Sequence, residues 1–164
     1  MERCDECGFT YDESQALGAG AGIINEAGLI AATLQAGHDD IATRHAPGTW
    51  SPLEYACHLR DVLLVQRERV LQARRVDRPQ CSPMGRDERV IHDAYAEQDP
   101  LAVARQLADA ALMFVHVLDR LGDDWDRTLI YTYPAPAERS LRWVAVHTLH
   151  EAAHHSQDIR RQLA

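Results

Sequence analysis

The chemistry of this chain concentrates in one stretch, Val146-His147-Thr148-Leu149-His150-Glu151-Ala152-Ala153-His154-His155-Ser156-Gln157-Asp158-Ile159. It holds four of the nine histidines and a glutamate. No glycine or proline interrupts the chain from about Ser140 to Leu163, so the stretch reads as part of a long helix. Side chains four residues apart on a helix share a face. The pairs His147/Glu151, Glu151/His155 and His150/His154 are therefore each able to chelate a cation. At about 100° per residue, Leu141, Val144, Ala145, Thr148, Ala152, Ile159 and Leu163 form an apolar arc. His155 projects inside that arc, Glu151 at its edge and His147 just beyond. His150 and His154 project further out, on the side of Trp143 and Arg161. An ionised glutamate in a core needs a partner, because burying it unpaired is costly. A divalent cation meets that need, which singles out Glu151 and His155.

A third ligand has to come from another helix. His58 lies in Tyr55-Ala56-Cys57-His58-Leu59-Arg60-Asp61-Val62, and its axial neighbours Tyr55, Val62 and Val65 are mostly apolar, so it points inward. A lone inward histidine is more often a core residue than a ligand; the cluster on the last helix tips the balance towards a ligand. His58, Glu151 and His155 leave coordination positions open, the arrangement of a catalytic rather than a purely structural metal. The plainer alternative is a polar helix face with a few capping histidines.

A second group is Cys4-Asp5-Glu6-Cys7-Gly8-Phe9, half of a zinc ribbon. Two thiolates at this spacing form a chelating knuckle, and a closed site needs two more ligands. Cys57, Cys81, His150 and His154 are the candidates. A redox role has less support, since no βαβ pattern surrounds the cysteines. Cys57 itself reads as a small core residue.

The elements that position these residues are mostly helices. Ser51-Pro52-Leu53-Glu54 is a capping box with proline at the first helical position, and Trp50 and Tyr55 are placed as a hydrophobic staple. That helix runs unbroken to about Arg75. Asp99-Pro100 opens another, with an apolar stripe from Leu101 to Leu118 and a stop at Gly122. An earlier helix over roughly Ser14 to Ala36 carries Gly18, Gly20, Gly22 and Gly28, each costing about 1 kcal/mol relative to alanine; such small residues also permit close helix approach. Residues 79–98 form a connection with a short helix around Asp87 to Ala96. Residues 125–139 read as extended or irregular. The expected architecture is all-α, a four-helix bundle over 14–164 preceded by a CxxC segment over 1–13.

Composition narrows the partners. A formal charge of −8 argues against a nucleic-acid backbone or an anionic membrane as the main one. The basic run Arg67, Arg69, Arg74, Arg75, Arg78 reads as a solvated face. No uninterrupted apolar stretch approaches the ~18 residues that span a bilayer, and the N-terminus lacks the apolar run of a signal peptide. The expectation is a cytoplasmic protein with reduced cysteines.

Trp50-Ser51-x-x-Glu54 leading to His58, followed by His147-x-x-x-Glu151-x-x-His154-His155-x-x-x-Ile159, resembles the DinB-like superfamily over about Ser14 to Leu163. That family includes metal-dependent bacterial thiol S-transferases and mycothiol-dependent maleylpyruvate isomerases. The resemblance implies an up-down-down-up bundle and a zinc or nickel ion. The ion would be held by His58 from the second helix and by Glu151 and His155 from the last. Glu151 stands where many members have histidine and some thiol-transferase branches have glutamate. The implied activity is transfer or hydrolysis with a small-molecule substrate and a low-molecular-weight thiol. Asp61 or His154 would serve as supporting or acid/base groups, Tyr131 and Tyr133 would line the mouth, and homodimerisation is an option. The competing expectation is a non-catalytic metal or stress sensor whose Cys4 and Cys7 close the site.

Overall fold

The computed structural model describes residues 2–164. Four long helices make the body: α1 (Ala19–Gln35), α2 (Pro52–Arg75), α4 (Pro100–Asp119) and α5 (Leu141–Gln162). A short α3 (Arg86–His92) lies in the connection between α2 and α4. Strands β1 (Thr128–Tyr131) and β2 (Ala137–Ser140) pair antiparallel between α4 and α5. Residues 125–139, read as extended or irregular, thus contain a small hairpin.

Local chemistry explains the helix starts. Ser51 Oγ accepts from the Glu54 amide while the Glu54 carboxylate accepts from the Ser51 amide, a complete capping box. The Asp99 carboxylate caps α4 by accepting from the Ala102 amide, and Ser140 Oγ caps α5 by accepting from the Trp143 amide. Trp50 and Tyr55 meet with ring centroids 5.5 Å apart, as the staple requires. The first helical stretch begins differently: Asp12 caps a 3₁₀ turn, Glu13–Gly18, that leads into α1.

Helix α1 packs on α4 and α5, and α2 packs on the same two, so α1 and α2 sit diagonally across the bundle. Directions follow from end-to-end contacts. Glu13 and Ser140 meet at the starts of the first and last helical stretches. Trp50, before α2, accepts from Gln162 at the end of α5. Arg60 reaches Gln106 near the starts of α2 and α4. The order is therefore up-down-down-up. Small residues on α1 permit its packing: a Cβ on Gly20 would lie 2.9 Å from Val115 Cγ1, and one on Gly22 2.7 Å from Leu149 Cδ1.

The core is drawn from all four helices, with Ile23, Leu59, Leu107, Phe114 and Val144 fully buried. The stretches Glu13–Gln35 and Pro100–Asp119 have the length and mean apolarity of membrane spans. Each contributes one face to this core, and α1 and α4 pack on each other. One charge departs from the expected solvated face. Arg69 is buried, donating to the Ser82 carbonyl at 2.7 Å with its guanidinium 4.8 Å from the Tyr131 ring centroid. The connection after α2 folds back over it, a long-range effect that helical periodicity does not report.

Candidate metal centre

Helix α5 presents its histidine face to the inner side of α2. The ligand atoms of His58, Glu151 and His155 lie within 4.8 Å of one another. Glu151 Oε2 is 3.5 Å from His155 Nε2 and 4.0 Å from His58 Nε2. Its other oxygen, Oε1, is 3.6 Å from His150 Nδ1 and 3.9 Å from His147 Nε2. The carboxylate therefore stands at the centre of four imidazoles. His58 is 3% exposed, and the Glu151 side chain, at 22%, is the most exposed of the three. Aromatic rings hold the imidazoles in place. Trp50 lies 5.0 Å from His58, Tyr55 stacks on His155 at 5.1 Å, and Trp143 stacks on His147 at 4.5 Å. The capping and staple residues of α2 thus also form one wall of the site.

Two positioning groups escape sequence reasoning. Asp158 Oδ2 lies 3.1 Å from His155 Nδ1, which leaves Nε2 facing Glu151. Its spacing to His155, three residues on one helix, was the available signal. The Tyr11 hydroxyl reaches His150 Nδ1 at 2.7 Å and His147 Nδ1 at 3.1 Å. No local pattern announces that contact, since it joins residues far apart in sequence.

The outer histidines are less exposed than their projection suggested. His150 is 8% exposed because the N-terminal segment covers that face of α5, with Phe9 5.2 Å and Tyr11 5.1 Å from its ring. Cys4, Cys7, His150 and His154 form a second cluster whose ligand atoms also lie within 4.8 Å of one another. Cys57 and Cys81 are buried elsewhere: Cys57 faces the Tyr95 carbonyl and Gln98. Asp61 does not serve the site, because its carboxylate accepts from Arg60, Arg89 and the Tyr95 hydroxyl, the last at 2.6 Å. Tyr131 is buried, its hydroxyl accepting from Gln66 and its ring edge-on to His147, whereas Tyr133 is exposed. Two grooves on the surface lie away from both clusters, one beside Arg60 and Asp109, the other beside Gln72 and Ser82.

The DinB superfamily profile matches residues 28–159, a span containing His58, Glu151 and His155. The chain belongs to the DinB superfamily. Its fold is similar to YfiT from Bacillus subtilis, described as a probable metal-dependent hydrolase with an unusual four-helix bundle topology. That likeness has a TM-score of 0.79 at 13% identity and covers 99% of this chain and 93% of the other. No curated protein matches this chain in sequence. The cysteines at 4 and 7 lie outside the superfamily match.

Electrostatics of this DinB-superfamily site separate the imidazoles into two kinds. Burial, reinforced by charge on His155, pushes His58 down to about 3 against the pull of Glu151. Burial likewise pushes His147 down to about 4. Both rings are therefore neutral at pH 7, the form that binds metal. Burial opposes charge on His155 too, but Asp158 and Glu151 prevail and raise it to about 9. Burial pushes the Glu151 carboxyl up, but hydrogen bonds from His150 and His155, with charge on His147, hold it well below the usual carboxylate range. Glu151 is thus an anion ringed by four imidazoles, two of them neutral.

Proposed function

We propose that His58, Glu151 and His155 hold one divalent ion, zinc or nickel, and that the protein uses it to activate a low-molecular-weight thiol or a water for transfer or hydrolysis. The observation that carries this reading is the convergence of the three donor groups within 4.8 Å, drawn from two helices. The residues fit a cation on a second count: His58 is buried and neutral, and its Nε2 faces Glu151 Oε2 at 4.0 Å, beyond hydrogen-bond distance. Packing between Trp50 and His155, not a hydrogen bond, fixes its orientation. A divalent ion bound there supplies Lewis acidity, which lowers the pKa of an adjacent thiol or water.

The chain's own residues do the rest. His58 presents a neutral nitrogen donor, whereas His155 carries its proton in the metal-free protein and would release it on binding an ion. Asp158 holds the His155 ring by its far nitrogen, an arrangement that raises ligand basicity. Trp50 and Tyr55 shield one side from water, while the exposed edge of Glu151 marks the side from which a substrate enters. Cys4 and Cys7 gather with His150 and His154 instead of with His58 and His155, which favours the open-site reading over a site closed by cysteine.

The test is a turnover screen on protein loaded with zinc or nickel. Thiol consumption is followed with a panel of electrophiles, and product release with simple esters and amides. Metal-dependent turnover by the wild type, lost in His155→Ala, supports the proposal. Equal rates for the loaded wild type and His155→Ala contradict it.

A further inference from the structure

The N-terminal cysteines and the two outer histidines of α5 are not needed by the site described above, yet they form a compact cluster of their own. Cys4 and Cys7 sit on a tight turn. The Gly8 amide donates to the Cys4 carbonyl at 2.9 Å, and the Cys4 amide donates to the Phe9 carbonyl at 2.8 Å. Gly8 occupies the left-handed region at φ 75°, which lets the chain reverse directly after the second cysteine. Burial opposes charge on the Cys4 thiol, but the amides of Cys7 and Glu6 facing its sulfur prevail and favour the thiolate. A bridge between Arg3 and Thr10 closes the loop, and Phe9 and Tyr11 pack it onto the core.

The imidazoles opposite are held in a manner suited to ligation. His154 turns Nδ1 to the Cys4 sulfur at 3.8 Å, while its Nε2 lies 3.3 Å from Glu6 Oε2 and 3.5 Å from Asp158 Oδ2. His150 has Nδ1 engaged by the Tyr11 hydroxyl, and its buried Nε2 has no hydrogen-bond partner among the described residues. Both rings therefore have one nitrogen anchored by an oxygen and the other left over for a metal. For tetrahedral zinc, bond lengths of about 2.3 Å to sulfur and 2.0–2.1 Å to nitrogen put sulfur and nitrogen ligands about 3.5 Å apart. The observed 3.8 Å is close to that edge. A Cys4–Cys7 disulfide would instead leave the inner nitrogens of both histidines facing an acceptor that holds no proton and no charge.

We propose that Cys4, Cys7, His150 and His154 form a second, closed zinc site that fastens the N-terminal segment to α5. The fastening has a consequence for the bundle site, because Tyr11 comes with the segment and touches both His147 and His150, which flank Glu151. The cysteine site is thus a brace for the wall of the open one.

Cobalt(II) loaded into the reduced full chain tests this. The expected result is a thiolate-to-cobalt charge-transfer band, lost in Cys4→Ser and Cys7→Ser and retained in His58→Ala. Retention in His58→Ala separates this site from the bundle site, so failure of either assignment is recognised independently. A second readout needs no variant: zinc should slow the reaction of Cys4 and Cys7 with a thiol reagent at least tenfold, and a chelator should restore it. No charge-transfer band in the wild type, or thiols that react equally fast with and without zinc, would overturn the proposal.

Discussion

The start of α2 carries both the capping box and His58, so its integrity can be tested through Glu54. Glu54 is 2% exposed and accepts from Arg44 Nε at 2.7 Å, from a second Arg44 nitrogen at 2.5 Å and from the Ser51 amide at 2.8 Å. In Glu54→Ala the Ser51 amide, in a fully buried residue, loses its acceptor, at a cost of about 1–3 kcal/mol. The Arg44 bonds add less than their geometry suggests, because its side chain is 46% exposed and turns to water when released. Together these give about 1–4 kcal/mol. At about 2–4 °C per kcal/mol for a domain of this size, the melting temperature falls by roughly 2–16 °C. Glu54→Gln, which keeps an acceptor for Ser51 but loses the charge, should lose about half as much. The assay is urea and thermal unfolding followed by helical circular dichroism. A Glu54→Ala change within 0.5 kcal/mol of wild type would refute the reasoning, as would Glu54→Gln falling further than Glu54→Ala.

The same residue gives a pH dependence with a definite sign. Burial pushes the Glu54 carboxyl up, but Arg44 and Ser51 prevail and hold it below its ordinary value. A depressed folded pKa contributes stability above the unfolded value of about 4.3 and loses it as pH falls through the folded value. The stability gap between wild type and Glu54→Gln should therefore shrink from pH 6 to pH 3 in urea melts, and a constant gap would contradict this. On α1, Gly28→Ala should stabilise by about 0.5–1 kcal/mol, since a Cβ there meets nothing within 4 Å. Gly20→Ala should not, because its Cβ would lie 2.9 Å from the stiff, β-branched Val115; equal gains in urea unfolding would refute the close packing. Asp61→Asn should cost about 2–4 kcal/mol by breaking its buried bonds to Arg60, Arg89 and Tyr95 while leaving metal content unchanged. Loss of metal in that variant would return Asp61 to the site.

Much of this architecture is legible in sequence where the determinants are local. The start of α2 follows from Ser51, Pro52 and Glu54, and that of α4 from Asp99 and Pro100, because a cap is a contact over three residues; α4 ends at Asp119, before the stop expected at Gly122. The buried arc of α5 follows from 3.6-residue periodicity, which also puts Glu151 and His155 together. What could not be read depends on chain returning from afar. Arg69 is buried by Ser82 and Tyr131, and His150 by Phe9 and Tyr11, so neither helix face betrays it. Asp61 shows the converse. Its position one turn after His58 suggests a role in the site, but Arg89 and Tyr95, brought in by the α2–α4 connection, claim its carboxylate.

The most direct test of the central claim is metal content by elemental analysis on protein purified without a histidine tag and reconstituted with zinc. His58→Ala and His155→Ala should each bind one equivalent fewer than the wild type while keeping wild-type helical content. Wild type that retains no zinc after reconstitution, or His58→Ala and His155→Ala with undiminished metal, would contradict a metal centre built on His58, Glu151 and His155.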